Sequence, residues 1–466
     1  MIKKWMPRSE LFYLAVLSFG MTFGFNLQLS NLSSLFKFLG VSGGNLPLLW
    51  LIPPVTGLII QPIIGQISDD TVSRYGKRRP FIFAWGIICA FAFSLLPLYD
   101  SLAFVIFLIL IIDCSLNGCS EGMRALTGDL TKSDERARTF ALQAVFGGIG
   151  AAIGTAMPVL IHKIYIWQKL GGEVQAGHIP MNLKVSYILG GLIILFSVLL
   201  TLKNVKEKPY SHQRLLSKRK KERTSTQRIT KLYRDLNVSI RQMPRQFKQI
   251  CLIHATTWAG IFTLWLYFSL AIAQNIYGLP ANADVTQNLH LAKLLQQATL
   301  DTSFYSTIYQ YVSVAYAIML FLLPRNAPIK LIHTISLLIG GLGVAAIGFE
   351  HSHKAIIISM IATGIMWGSL IVLPYAIVIQ ILPKGKMGTY LGIFNISITS
   401  PQIICGLTLG SIYSHLFSNH ARFMLILGGC LVFISGLLWL KQTFTSDEKS
   451  IIPNRASALA LNIPEA

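Results

Sequence analysis

Charged side chains are scarce in this sequence. Asp, Glu, Lys and Arg make up 13% of its 466 residues, whereas a soluble domain carries roughly a quarter. Acids are the scarcer sign, since 40 Lys and Arg against 19 Asp and Glu leave a net charge of +21. With 53% hydrophobic residues, a soluble fold is excluded, and so is a disordered or nucleic-acid-binding chain, which would be basic but far less apolar.

Two further absences narrow the class of protein. Six cysteines in 466 residues are too few for a secreted scaffold held by disulfides. The sequence also contains no G-x-x-x-x-G-K-[ST] phosphate loop, no H-E-x-x-H pair and no cluster of Cys and His at metal-ligand spacing. We therefore predict neither an enzyme nor an ATP-driven pump, and we expect no cofactor and no bound metal.

Long apolar stretches are abundant. Twelve of them reach about 20 residues, the length that a helix needs to cross a membrane. Runs such as Phe104–Ile112 contain no polar side chain, which favours helices over the alternating pattern of membrane β-strands. We predict an all-α membrane protein with transmembrane helices at about 11–36, 45–68, 80–98, 102–127, 138–162, 184–203, 249–276, 303–323, 331–349, 355–381, 388–413 and 422–441.

Basic residues are concentrated in alternate connections. They follow the second, fourth, sixth, eighth and tenth helices, so the positive-inside rule puts these connections and both termini in the cytoplasm. The largest cluster lies between Lys203 and Lys248, where 15 Lys and Arg minus 3 acids contribute +12 of the net charge. We interpret this loop as a cytoplasmic linker that sets the topology, with binding of anionic lipid or a protein partner as the alternative.

The linker divides the chain six helices from six. Glycine-rich helices follow a basic loop in both halves, at Gly147–Gly154 and Gly392–Gly406. This echo indicates two pseudo-symmetric six-helix bundles around a central site, the layout of many secondary transporters. The predicted units are a first bundle at 1–203, the basic linker at 204–248, a second bundle at 249–442 and a disordered cytoplasmic tail at 443–466.

The connection after the second helix carries a distinctive pattern. Residues 65–82 read GQISDDTVSRYGKRRPFI, which resembles the signature loop of the major facilitator superfamily in the form used by its sucrose and glycoside–pentoside–hexuronide symporter branch. Further segments resemble that branch in the same order over about 20–440: GFNLQLS at 24–30, WLIPPVTGLIIQP at 50–62, RALTGDL at 124–130, LPYA at 373–376 and LGIFNISITSPQ at 391–402.

The resemblance implies proton-coupled uptake of a sugar, such as sucrose, maltose or another glucoside, by alternating access. We expect a monomer in the plasma membrane or bacterial inner membrane whose partners are the sugar, protons and the lipid bilayer, with no nucleic acid. Two alternatives stay open. One is a proton-coupled exporter or antiporter of another small molecule, and the other is a non-transporting sugar sensor that signals through the 204–248 loop.

Coupling to protons requires an ionisable group inside the membrane, and such groups face a cavity or a partner. The acids away from the span ends are Asp113 and Glu121, which share one stripe of the fourth helix with Asn117 and Arg124 at about 100° per residue. Glu121 can pair with Arg124 at i,i+3 spacing, which makes Glu121 the charge partner and Arg124 a substrate or gating residue. Asp113 has no basic neighbour on its helix and is the predicted proton-coupling residue. The alternative is that the stripe only holds helices together.

A neutral sugar is bound by hydrogen bonds and apolar stacking in a mostly apolar pocket. The predicted substrate-binding residues lie deep in helices: Gln28, Asn31, Asn117, Arg124, Trp265, Gln274, Asn395 and Gln402. Further candidates of the same kinds are Gln61, Gln143, Trp258, Tyr309, Trp367 and Tyr375. Each of them could instead make an interhelical hydrogen bond or fill the core.

The signature loop is predicted to be a cytoplasmic gate rather than a substrate site, with topology determination alone as the alternative. Its acids and bases can pair to hold one conformation closed, and glycine allows a tight turn; the gate residues are Asp69, Asp70, Arg74, Gly76, Arg78 and Arg79. At the other face, leucines at helical spacing within 278–302 predict a short amphipathic helix on the outer surface.

Overall fold

A computed structural model describes residues 8–71, 73–131, 133–167, 174–207, 242–324, 327–381 and 387–442. Over these ranges the chain forms twelve long helices, which confirms the predicted all-α fold. They are α1 Arg8–Phe38, α2 Ile52–Asp70, α3 Arg79–Leu95, α4 Leu102–Leu130, α5 Ser133–Trp167, α6 Met181–Asn204, α7 Arg245–Asn275, α8 Leu289–Leu322, α9 Ile329–Ile347, α10 His353–Leu370 with its continuation Leu373–Ile381, α11 Met387–Ser411 and α12 Ala421–Lys441.

Local sequence explains where several helices begin and turn. Pro53 and Pro80 stand in the first turns of α2 and α3, where a missing amide hydrogen leaves no helical bond unmade. A single helical turn, Leu46–Leu49, precedes α2. Between α2 and α3 the chain turns at Gly76, whose φ of 97° favours glycine.

Eleven helices are apolar enough as well as long enough to cross a membrane, and α8 is the exception in the described ranges. It is 34 residues long but carries polar side chains along the face that lines the central cavity described below, among them Thr302, Ser306 and Gln310. The prediction of a separate short helix within 278–302 is wrong. Residues from Leu289 onward are the first turns of α8, and the helix starts where the side chain of Asn288 accepts a hydrogen bond from the Leu291 amide at 3.2 Å.

The helices pack as two bundles of six. In the first bundle α1 packs against α5 and α6, α3 against α4 and α6, and α2 against α4. In the second bundle α12 packs against α7 and α9, α10 against α8 and α9, and α11 against α7. The two bundles meet through α5 with α8, α1 with α7 and α8, and α2 with α11. Most of the 204–248 linker and all of the 443–466 tail lie outside the described residues, so the predicted domain boundaries stay predictions, although α7 already begins at Arg245.

The contacts between the bundles are dense at one end of the molecule. We call the end where α1 begins and α6 leads into the linker the basic end, and the other the opposite end. At the opposite end, Ser33 Oγ on α1 donates to the Leu266 carbonyl on α7 at 2.7 Å, and the hydroxyls of Ser34 and Ser269 lie 2.6 Å apart. Hydrogen bonds therefore close the space between the bundles there.

Glycine backbones complete this closure. A Cβ added at Gly410 on α11 would collide with the carbonyl oxygen of Gly44, and one added at Gly43 would collide with the ring of Tyr413. Small residues let helices approach this closely inside a membrane. The segment before α2 and the end of α11 thus form a contact that a single methyl group would disturb.

We predict that Gly410→Ala shifts the protein toward a state that is open at the opposite end, because the added methyl group cannot fit in the closed contact. Spin labels at Asn45 and His415, both exposed at this end, should report a longer mean distance by pulsed electron paramagnetic resonance. Gly128→Ala is the matched control, since a Cβ there meets no atom within 4 Å. An unchanged distance distribution for Gly410→Ala would contradict the prediction.

Candidate functional site

A large cavity lies between the two bundles. Its volume is about 2000 Å³, and its wall is formed by α1, α2, α4 and α5 on one side and by α7, α8, α10 and α11 on the other. This exceeds the roughly 300–1,000 Å³ of a closed small-molecule pocket. The opposite end is sealed by the contacts above, and the side chain of Arg124, which lines the cavity nearer the basic end, is 47% exposed. The cavity therefore opens toward the basic end.

Aromatic rings form the wall contributed by the second bundle. The rings of Trp258, Trp265 and Trp367 meet edge to face with centroids 5.5 to 6.0 Å apart, and Tyr309 packs against Trp367 at 6.5 Å. All four line the cavity. The indole nitrogen of Trp258 donates to His254 Nε2 at 2.8 Å, which fixes the orientation of that ring.

Amide side chains face this wall and bridge the bundles. Gln310 Nε2 on α8 donates to Asn26 Oδ1 on α1 at 2.9 Å and to Tyr309 Oη at 3.0 Å. On the first bundle, Gln61 Nε2 donates to Asn117 Oδ1 at 2.7 Å. The cavity thus combines apolar rings with neutral groups that can both donate and accept hydrogen bonds.

The part of the cavity nearer the basic end holds the charge. Arg124 Nη2 lies 3.0 Å from Glu121 Oε2, and Arg124 is the only residue with a formal charge in the described lining. Across the cavity, Tyr375 Oη on α10 donates to Asn395 Oδ1 on α11 at 3.1 Å. Among the described residues, a solute near this end of the cavity would therefore meet one guanidinium that its neighbour Glu121 neutralises.

Several of the predicted substrate-binding residues line the cavity, and others do not. The lining includes Asn117, Arg124, Trp265, Asn395 and Gln402. Gln28, Asn31 and Gln274 lie outside it. Gln274 ties the end of α7 to the start of α12, because its side chain donates to the Asn419 carbonyl at 3.0 Å and accepts from the Ala421 amide at 2.7 Å.

Two amide side chains of the cavity lining escaped the sequence-based prediction of the site. Asn26 on α1 and Gln310 on α8 bridge the bundles and line the cavity. A signal for Asn26 was available, since Thr22, Asn26, Ser30 and Ser33 repeat at helical spacing on one face of α1 and all four line the cavity. Gln28 stands two residues from Asn26, about 200° around the helix, and so points away from the cavity.

Asp113 is buried inside the first bundle rather than in the cavity lining. Its side chain is 0% exposed, and its Oδ2 accepts a hydrogen bond from Gln28 Nε2 at 3.1 Å. Asn117, one turn nearer the basic end, does line the cavity and donates to the Asp113 carbonyl at 2.9 Å. The acid thus lies beside the cavity, one helical turn from Asn117, and its side chain is turned toward Gln28 on α1.

The signature loop holds the basic end of the first bundle together. Arg78 Nε lies 3.0 Å from Asp129 Oδ2 on α4, and its guanidinium also donates to Ser68 on α2. The backbone amide of Arg78 donates to Glu207 after α6 at 2.9 Å, and Gly76 leaves room for that carboxylate.

The remaining gate candidates have other surroundings. The guanidinium of Arg79 donates to the Leu202 carbonyl on α6, while Arg74 is exposed and lies over the ring of Tyr75. The side chains of Asp69 and Asp70 are outside the described residues.

We expect Asp129→Ala to destabilise the protein by about 1–3 kcal/mol, because the Arg78 side chain, only 6% exposed, would lose a charged partner. Unfolding by sodium dodecyl sulfate in mixed micelles would measure it. Glu121→Ala, which removes the more exposed pair with Arg124, should cost about 0–1 kcal/mol. Equal losses of unfolding free energy for the two variants would contradict the prediction that the contact between Arg78 and Asp129 stabilises the first bundle.

The fold and the cavity define a membrane protein of two six-helix bundles with a central site. Residues 14–405 match the profile of the Major Facilitator Superfamily. The chain belongs to this superfamily.

The chain is also similar to sucrose transport proteins from plants and to solved structures of transporters. Sucrose transport protein SUT5 of Oryza sativa subsp. indica is 24% identical over 492 residues, covering 93% of this chain and 88% of its own. Sucrose transport protein SUC4 of Arabidopsis thaliana is 25% identical over 477 residues, covering 93% and 90%. A nucleoside transporter, NupG, superposes with a TM-score of 0.67 at 13% identity, covering 92% of this chain and 99% of that one. A D-xylose–proton symporter superposes with a TM-score of 0.61 at 14% identity, covering 93% and 97%.

Proposed function

We propose that this protein is a proton-coupled sugar symporter that works by alternating access. The sugar site is the cavity between the bundles, and the coupling acid is Asp113. The proposal is supported by the sequence relatives, which are sucrose transport proteins over nearly the whole chain, and by the character of the cavity wall.

The composition of the wall carries the proposal. A sugar presents apolar ring faces and many hydroxyl groups, each of which donates and accepts a hydrogen bond. The indole rings suit the apolar ring faces of a sugar. Amides such as Asn26 and Gln310 suit its hydroxyl groups because they carry both donors and acceptors. An organic anion would find only Arg124, already paired with Glu121, to balance its charge in the described lining, and a cation would find no acid there. An unpaired charge is costly in a partly dehydrated site.

Asp113 has the surroundings that a proton carrier needs. It is fully buried, and Gln28 supplies its hydrogen bond. An ionised carboxylate in this setting is costly, so it is held neutral until water reaches it. Loading the proton from one side and releasing it to the other would then couple sugar movement to the proton gradient.

Orientation follows from the basic loops. We place the basic end in the cytoplasm, so the structure corresponds to an inward-open state of a protein in the plasma membrane or bacterial inner membrane. The loop from Gly76 to Arg79 would hold the inner end of the first bundle as one body while the bundles rock, and each monomer would work alone.

The decisive experiment is uptake into proteoliposomes under an imposed inward proton gradient. Labelled sucrose, maltose, D-xylose and uridine form the panel, since the relatives and structural neighbours include transporters of three of these solute classes. We expect accumulation of a di- or monosaccharide that collapses with a protonophore. Uptake of uridine alone, or sugar binding without uptake, would reject the proposal in favour of a nucleoside carrier or a sugar sensor.

We predict that Asp113→Asn abolishes proton-driven accumulation and leaves sugar exchange across the membrane at equilibrium intact, because an amide cannot load or release the proton. Accumulation against a gradient and counterflow exchange, measured on the same proteoliposomes, separate the two activities. Accumulation that survives in this variant would show that another group carries the proton.

We predict that Trp265→Ala raises the apparent KM for the sugar by about 2–12-fold, from the roughly 0.5–1.5 kcal/mol that an aromatic contact contributes. Trp265→Phe should recover part of this loss. Trp439→Phe is the matched control, since that ring is buried against His333 outside the cavity lining. A KM that does not change in Trp265→Ala would argue against stacking on this wall.

A further inference from the structure

Gln28 and Asp113 are hydrogen-bonded to each other, yet each also has one buried oxygen atom without a hydrogen-bond partner among the described residues. Gln28 Nε2 donates to Asp113 Oδ2 at 3.1 Å, and the two residues are 1% and 0% exposed. The other oxygen of each, Gln28 Oε1 and Asp113 Oδ1, is buried with no hydrogen-bond partner among the described residues. Buried polar atoms are rarely left unpaired, so two on one contacting pair require a common explanation.

A single proton satisfies both atoms. A protonated carboxyl group carries one O–H donor beside one carbonyl acceptor, and a primary amide also presents a donor and an acceptor. With the proton on Asp113 Oδ1, this O–H can donate to Gln28 Oε1 while Oδ2 accepts from Nε2, which closes a ring of two hydrogen bonds. An ionised Asp113 offers acceptors only, so Gln28 Oε1 would face like partial charge.

We propose that Gln28 and Asp113 form an acid–amide pair whose second hydrogen bond exists only while Asp113 is protonated. Gln28 is then a positioning residue for the coupling acid and not a sugar ligand, in keeping with its place outside the cavity lining. The inference rests on the proposed proton symport. The added point is that the hydrogen bonds of Gln28 depend on whether Asp113 carries its proton.

The titratable groups near the pair are not bases, so Gln28 is the side chain that responds to the proton on Asp113. Cys89 on α3, Cys114 on α4 and Tyr187 on α6 lie within electrostatic range of Asp113. All are neutral weak acids, and none is a base that could take the proton. When Asp113 releases it, the O–H bond breaks, the proton passes to water entering from the basic end, and Gln28 Nε2 remains as donor to the carboxylate.

The loss of one bond in the pair reaches the contacts between the bundles through α1. One turn beyond Gln28, Asn31 Oδ1 accepts a hydrogen bond from Ser303 on α8 at 3.2 Å, and Ser34 follows with its contact to Ser269 on α7. The amide of Gln28 thus stands on the same helix as the bonds that seal the opposite end.

Infrared spectroscopy of the full-length protein in lipid tests the pair without any sugar. Subtracting the spectrum of Asp113→Leu identifies the carbonyl stretch of protonated Asp113. We expect Gln28→Met to move that band to higher frequency, because the carbonyl loses its donor. Asn182→Leu, which removes a buried amide elsewhere in the first bundle, should leave it in place.

The outcomes separate this inference from the proposed function. A band that Gln28→Met does not shift overturns the pair while Asp113 still carries a proton. Absence of an Asp113 band at every pH at which the protein stays folded overturns both the pair and the proton carrier, yet leaves sugar uptake to be judged by the transport assay.

Thermal unfolding gives an independent readout. Asp113→Asn keeps the ring of two bonds, because an amide presents the same donor and acceptor as a protonated carboxyl, so its Tm should match that of the original protein. Asp113→Leu leaves both polar atoms of Gln28 unpaired and should lower the Tm. Equal Tm values for the two variants would overturn the pair.

Discussion

Inside a membrane a polar side chain has no water with which to exchange hydrogen bonds, and this constraint governs the whole molecule. Many hydroxyl groups of the described spans bond to a carbonyl one turn earlier on their own helix. Most of the other polar side chains either line the cavity or bond to a partner on another helix. Asn26 and Gln310 do both, since they line the cavity and bond to each other across it. The cavity wall therefore collects polar side chains that would be costly if they faced lipid.

The same constraint decides how the bundles hold each other. Lipid is as apolar as a leucine core, so helices associate through close packing and short polar contacts rather than through hydrophobic burial. Gly150 and Gly154 let α5 approach the backbone of α1 within the first bundle, while Gly44 and Gly410 do this between bundles. Contacts of the second kind would have to break when the bundles rock, whereas contacts of the first kind would stay intact.

Sequence patterns were sufficient to predict the fold and the types of residue that line the cavity. They did not predict every one of those residues. Long apolar runs and basic loops specify twelve helices because each follows from local composition. The choice between Asn26 and Gln28 depends on the rotation of α1 against its neighbours, which only packing determines. Residues 289–298 were misjudged for a related reason: their leucines at helical spacing predicted a separate helix on the outer surface, yet they are the first turns of the long helix α8, where packing buries Leu295 and Ala298.

Coupling between a proton and a sugar requires an element whose position both of them bias. In this chain α1 is the better candidate for that element than α4, although Asp113 itself lies on α4. It contacts Asp113 through Gln28, lines the cavity with Asn26 and Ser30, and seals the opposite end with Ser33 and Ser34. These three sets of contacts belong to one helix of 31 residues, so a rotation or tilt of that helix would change all three. The coupling would then depend on a rotation or tilt of α1. The protonation of Asp113 would favour one position of α1 by changing the hydrogen bonds that Gln28 can make.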